Sequence, residues 1–412
     1  MNAISALDYF ALARVRSEAA ILLDKAAAGQ LRHVAVDLSK FGDAMVTVLE
    51  TTKENYPDLQ IPPYGLWREF ETGGYDRWSA LAGARQFETA HDMLLSAADL
   101  VVLAAVMQTV TPAGWVFVDP LTQTKANGRT ASCLAAFHMF AAGSFSNAMS
   151  DPYRVDADSL IALDSPELAA GLQWDADQSA DLLEQMRKHL KRFGEAMSVR
   201  PDLCTEDDVT RAGLMVLGKV REAGGSVDLS SVLETLMEVL APVWTGGASV
   251  GDVGLGDSFE HSVPQSDTPG AIVPFHLAAQ EMAYSLVEPL AWAGLEAEGL
   301  EQLTAPADDR HAALFVRTGV LNFTTADQSL DPIDARDRMV EIRAVSAALA
   351  ERLADHLRAE LDVAAGQLPL TCILEGGTSR AGVSALKKNG QETTKLQELL
   401  NPGAVFWLPF GA

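Results

Sequence analysis

The sequence is poor in several things, and each shortage narrows what the chain can do. It has only three cysteines in 412 residues, Cys133, Cys204 and Cys372, and they stand far apart. An odd, scattered set offers neither a disulfide framework nor a paired metal-thiolate spacing, which is the usage expected of a reducing, cytoplasmic setting. Cations are also few: Lys and Arg total 31 against 56 Asp and Glu, a net charge of −25. Such a surface repels nucleic-acid phosphates and anionic lipid headgroups, so neither is expected as a partner. The longest apolar run, residues 100–107, is far too short to span a bilayer. The first residues show no basic segment leading into an unbroken apolar stretch, so no signal peptide is expected. The chain also lacks a G-x-S-x-G elbow, a phosphate-binding P-loop, an H-E-x-x-H helix and paired C-x-x-C motifs. No cofactor is therefore expected. The chemistry left over is that of carboxylates, imidazoles and hydrogen bonds.

What is present is a globular composition, 48% hydrophobic and 21% charged. Helical spacing dominates, at residues 6–28, 39–53, 89–108, 130–142, 175–196, 230–240 and 336–361. The 89–108 segment is apolar nearly all round and should be buried, whereas 175–196 and 336–361 are charged enough to read as solvated. Residues 200–209 are polar, with a helix start expected at Thr205. Small β elements are expected at 114–124, as a hairpin around Asp119-Pro120, at 314–323, and near the C-terminus at 368–374 and 405–410. The expected fold class is mainly α, a compact multi-helix domain with small β elements. No linker divides it, so 1–412 reads as one unit, with 1–110 as a candidate N-terminal helical subdomain.

The stretch around which the rest is organised is TPGAIVPFHLAAQEMAYSLVEPLAWAG, residues 268–294. Pro274 suits a helix start and Pro289 a stop or kink. Between them His276, Gln280, Tyr284 and Glu288 recur every fourth residue and form one polar row. The row contains no Lys or Arg. It reads either as a pocket wall or as the polar face of an amphipathic surface helix. Just upstream, Asp257 and His261 lie four apart in a glycine-rich passage. A metal set assembled from Asp257, His261 and His276 would depend wholly on tertiary placement, and none is assigned.

Two further segments carry candidate chemistry. Residues 56–78 combine aromatics with Asp76 and Arg77, and read as a ligand wall or as a loop pinned by stacking and ion pairs. Near the end, the apolar run 368–374 meets Glu375-Gly376-Gly377-Thr378 and then Arg380. A strand, a glycine turn and a helix N-terminus would present free N–H groups to an anion; a plain turn is the alternative.

Several unusual words occur together in order: YGLWREFETGGYDRW, FHMFAAGSFSNAMSDPYRVDADSL, LGDSFEH, PFHLAAQEMAYSLVEPLAWAG, ALFVRTGVL and CILEGGTSRAG. In these the chain resembles the uracil catabolism protein 4 family of fungi and bacteria, catalogued as a domain of unknown function. The resemblance covers nearly the whole chain. It implies a place in a pyrimidine-degrading route in which an opened uracil ribotide yields a ribosylurea-type intermediate and then urea. Two departures are SFSNAMSD, where a shorter acidic run is expected, and Gly382-Val383, where an arginine is expected after the glycine. They bear on the anion-binding role of the last motif.

The function expected is hydrolysis of the ribose–nitrogen bond of a ribosylurea-like small molecule, with or without a 5′-phosphate. An oxocarbenium-like transition state calls for a carboxylate, Asp257 or Asp76, and an acid/base, His276 or His261. Gln280, Tyr284 and Glu288 suit ribose hydroxyls or the urea amide, with Glu375 and Thr378 beside them; Arg77, Arg129 and Arg380 are the phosphate candidates. The alternatives are a non-catalytic sensor of the same pathway and a metal-dependent amidohydrolase acting on the ureido group. The sequence does not specify the oligomeric state.

Overall fold

A computed structural model of the chain describes residues 5–109, 111–112, 114–262, 271–324 and 330–387. Helix accounts for 59% of these residues and strand for 9%. The strands pair only in twos: Val34–Val36 with Leu321–Phe323, Phe117–Val118 with Lys125–Ala126, Ser258–His261 with Ala271–Pro274, and three further ladders. With no sheet among the described residues broad enough to form a layer, the helices make the core, which runs continuously from Tyr9 to Leu386. The fold is mainly α.

The apolar helix falls where its pattern places it, Ala90–Val106, opened by Thr89, whose hydroxyl accepts from Asp92 N–H at 3.0 Å. The hairpin around Asp119-Pro120 is present too. Several expectations are corrected. Residues 314–323 are not one strand: the helix Asp309–Arg317 fills most of that span and only Leu321–Phe323 is extended. Asp308 caps this helix, and a charged first turn ahead of an apolar run is a helix-start pattern. Residues 205–210 form a two-stranded turn, Thr205–Glu206 with Val209–Thr210, not a helix start. The 336–361 segment belongs to a helix, Pro332–Leu361, buried along much of its length rather than solvated. Residues 368–374 are not a strand: a helix begins there, Leu370–Ile373, and continues through a π-helical turn, Leu374–Thr378, into Ser379–Lys387. Residues 405–410 lie outside the described part.

The central segment also departs from expectation. Ala271–Pro274 is a strand, and the helix starts only at Leu277, after His276 turns into the left-handed region at φ +50°. It ends at Ser285 and resumes as Val287–Trp292. Pro289 is the cause. Having no N–H, it leaves the Ser285 carbonyl without its helical donor, and the Trp67 indole N–H donates there instead, at 2.6 Å. Trp67 in turn packs on Phe70, Trp78 and Trp292 with ring centroids 5.6, 5.4 and 4.9 Å away. The 56–78 segment is thereby pinned to the body by stacking.

Candidate functional site

The polar row of the central helix is buried from His276 to Tyr284, and among the described residues protein groups satisfy its polar atoms apart from His276 Nδ1, which has no hydrogen-bond partner. His276 Nε2 lies 2.7 Å from the Tyr9 carbonyl. Gln280 holds Thr304 from both ends: its amide donates to the Thr304 hydroxyl, and its carbonyl accepts from Thr304 N–H at 3.1 Å. Tyr284 donates to the Thr304 carbonyl at 3.1 Å. Glu288 stands apart, paired with Arg68 at 2.7 Å. These contacts fasten the 304 loop and the N-terminal turn onto the helix, so neither a ligand wall nor a wet face is formed.

The expected carboxylates are likewise in structural use. Asp257 is clamped by both arms of Arg343, at 2.6 and 2.7 Å, and accepts from Leu277 N–H at 3.0 Å. Burial alone would raise its pKa, but Arg343 and these hydrogen bonds outweigh burial and hold it below the usual carboxylate range. The space between Asp257, His276 and Trp244 leaves no room for a water molecule. Asp76 is exposed and caps the helix Arg77–Arg85 through Ser79 N–H at 2.9 Å. His261 Nε2 lies 3.3 Å from Glu341. Asp257, His261 and His276 thus turn to different partners and do not converge as a metal set; among the described residues no group of three potential ligands is placed to hold a metal.

Two of the three phosphate candidates, Arg77 and Arg380, are occupied by protein groups. Arg77 is fully buried, donates to the Phe70, Thr72 and Tyr75 carbonyls at 2.8–2.9 Å, and pairs with Asp119. Arg380 pairs with Glu375 and donates to the Tyr56 hydroxyl at 2.7 Å. Glu375-Gly376-Gly377-Thr378 is a helical turn inside a continuous helix, so it offers no helix N-terminus to an anion. Its glycines are needed for packing: a Cβ on Gly377 would lie 2.4 Å from the Val48 side chain.

A different set of residues does converge, and it was largely missed. Glu281, on the central helix but off the row, accepts from the Tyr64 hydroxyl at 3.0 Å and from the Gln108 amide at 3.0 Å, and pairs with Arg129. Arg129 also reaches Glu69 at 3.0 Å. Arg310 donates to the Tyr64 hydroxyl at 2.6 Å and to Asp308 at 2.6 Å. His311 sits 2.8 Å from Asp308 by Nδ1 and 3.0 Å from the Thr378 hydroxyl by Nε2. The helix Ser379–Lys387 closes over this set because Gly382 permits it: a Cβ there would fall 2.1 Å from the Arg310 carbonyl. Of the residues expected from sequence, only Arg129 and Thr378 belong to this cluster.

Most polar atoms in the cluster are paired, as burial requires. Three are not. Among the described residues Arg129 Nη2, Asp309 Oδ1 and Ser379 Oγ have no hydrogen-bond partner, although each residue is at most 5% exposed. Asp309 is under the greatest electrostatic pressure. Burial raises its pKa, the neighbouring Asp308 charge raises it further, and Arg310 and Arg129 offset this only in part, leaving it near 7. Asp308 goes the other way: burial would raise it, but Arg310 and His311 hold it well below the carboxylate range. Two adjacent carboxyls, one kept ionised and one protonated at about half occupancy near neutral pH, form the kind of pair from which acid/base roles are drawn.

A sequence signal for this cluster existed: Asp308-Asp309-Arg310-His311 is a dense charged run immediately before an apolar one. A groove of about 990 Å³ elsewhere, lined by Arg16, Glu301, Glu351 and Asp355 among others, contains none of the expected site residues. No described helix is long and apolar enough to cross a membrane.

Comparison with curated proteins gives no match. A family model described as "Protein of unknown function (DUF1688)" matches residues 9–400. With nearly its whole length inside that match, the chain belongs to this family of unknown function.

Proposed function

We propose that the chain is an enzyme that hydrolyses the ribose–nitrogen bond of a ribosylurea-type compound, as the resemblance to uracil catabolism proteins implies, and that the reaction is centred on Asp309. The observation that carries this reading is the Asp309 carboxyl: buried, lacking a partner at Oδ1 among the described residues, and raised to about 7 beside an ionised Asp308. A poor nitrogen leaving group needs an acid that still holds its proton near neutral pH, and an ordinary aspartate does not.

In this reading the Asp309 proton goes to the ureido nitrogen as its bond to the ribosyl carbon breaks. Arg129 Nη2, which has no partner among the described residues, donates to the ureido oxygen, where negative charge develops. Water adds to the ribosyl carbon and loses a proton, which returns Asp309 to its starting state; the products are ribose and urea. Ser379 Oγ, without a partner among the described residues, is a hydroxyl suited to a sugar oxygen. At 2% exposure Asp309 meets a substrate only when the surrounding helices part, so binding and opening are coupled.

The test is incubation of the purified protein with ribosylurea and with its 5′-phosphate, assaying free urea. Urea release by the wild-type protein, lost in Asp309→Asn, is the expected result. Absence of release from both compounds by folded wild-type protein contradicts the proposal.

A further inference from the structure

Arg85, Arg154 and Arg211 come from three separated parts of the chain: the last residue of the helix Arg77–Arg85, the loop after Phe145, and the bridge residue opposite Asp156. Their guanidinium groups converge on one carboxylate, Asp151. The nearest approaches are 3.7 Å from Arg85, 4.0 Å from Arg154 and 3.6 Å from Arg211. A charge-assisted hydrogen bond runs at about 2.7–2.9 Å. Asp151 therefore sits at the focus of three cations without bonding to any of them.

The same arginines bond tightly elsewhere. Arg154 Nε donates to Asp156 at 2.8 Å, and Arg211 Nε pairs with Asp99. Each is clamped on one side by a buried carboxylate and turns its remaining edge toward Asp151. Arg85 has no other ion pair among the described residues and is braced by the Phe87 ring, 5.6 Å from its guanidinium. Asp151 itself is about one-third exposed, on a loop held by its own backbone: Ser146 Oγ donates to the Asp151 carbonyl at 2.8 Å. In a chain of net charge −25 this is an unusual concentration of cations, and the anion at its centre is the one most loosely held.

We propose that Arg85, Arg154 and Arg211 form a binding site for a phosphate-class oxyanion, free or as a phosphomonoester, which displaces Asp151. Asp151, with its acceptor sites confined to one plane, comes within hydrogen-bond distance of none of the three guanidinium groups. A tetrahedral phosphate offers an oxygen to each, and guanidinium is the cation whose geometry suits it. With Asp151 swung outward, three arginines face Asp99 and Asp156, one positive charge in excess. The site stands apart from the Asp309 cluster. Asp99 and Gln108, which touch the two sites, lie nine residues apart along one helix and its exit, about 13 Å. It does not depend on the hydrolytic reading.

The experiment is calorimetric titration of the full chain with inorganic phosphate and, separately, with ribose 5-phosphate, comparing wild type, Asp151→Asn and Asp151→Asn/Arg85→Gln. Both positions are partly exposed, and melting curves verify that the variants remain folded. Removing the competing carboxylate should tighten binding by about tenfold or more, and removing Arg85 in that background should reverse it by a similar factor. Equal affinity for the two ligands identifies the free anion, and tighter ribose 5-phosphate a phosphomonoester; both sustain the site. No binding by folded Asp151→Asn, or binding indifferent to Arg85→Gln, overturns it.

Discussion

Asp308 and Asp309 are neighbours in sequence held in opposite states: Arg310 and His311 keep the first ionised, while burial and the charge of the first press a proton onto the second. The contrast depends on side chains from distant parts of the chain, since Tyr64, Arg129 and Glu281 complete the surroundings of Arg310.

Stability should register this directly. The folded-state pKa of Asp309, near 7, lies above its ordinary value of 3.8. The folded protein therefore binds the extra proton, and the stability this contributes is present below pH 3.8 and lost as pH rises through about 7. Three units correspond to roughly 4 kcal/mol at most. Between pH 5 and pH 8 the wild-type melting temperature should fall more steeply than that of Asp309→Asn, which has nothing to titrate. Parallel profiles for the two proteins would refute the assignment.

Asp257 should prove structural. Its replacement by Asn removes the bidentate carboxylate from the fully buried Arg343, a change that costs about 3–5 kcal/mol in comparable settings. Denaturant unfolding should show that loss, while urea release per folded molecule stays near wild type. A folded Asp257→Asn protein that binds substrate but has lost turnover would return Asp257 to the catalytic centre.

Asp76 should matter less. As an exposed helix cap, its change to Ala should lower stability by about 0.5–2 kcal/mol and leave activity intact. An activity loss without a stability loss would contradict the capping role.

Gly382→Ala is the sharpest packing test. The added methyl would press on the Arg310 carbonyl, which is backbone and cannot rotate aside. The helix Ser379–Lys387 must shift, at a cost of about 1–3 kcal/mol, and carry Ser379 out of place. Unchanged melting and activity would mean that the close approach is not required.

Much of the fold was legible because it rests on local pattern. The apolar helix Ala90–Val106 and the Asp119-Pro120 hairpin follow from hydrophobic spacing and turn chemistry. The stretch 368–374 misled because a short apolar run does not distinguish strand from buried helix, and glycines that suggest a turn here serve packing against Val48. The central helix is legible, but spacing leaves its polar row open between a pocket wall and a surface face, and it is neither. Gln280 and Tyr284 are satisfied by Thr304, a partner that no spacing rule identifies. Arg129 and Thr378 were among the expected residues, whereas Glu281 and Asp309 were not, because their significance arises from burial and from neighbours far away in sequence.

Whether Asp309 supplies the proton for ribose–nitrogen cleavage is read from urea release from ribosylurea across pH 6–9 by wild type and Asp309→Asn. The wild-type rate should decline as pH rises past about 7, as the acid loses its proton, and the variant should stay folded and be slower by about 10²–10⁴-fold. Urea release by Asp309→Asn at the wild-type rate, with the wild-type pH profile, would contradict that role.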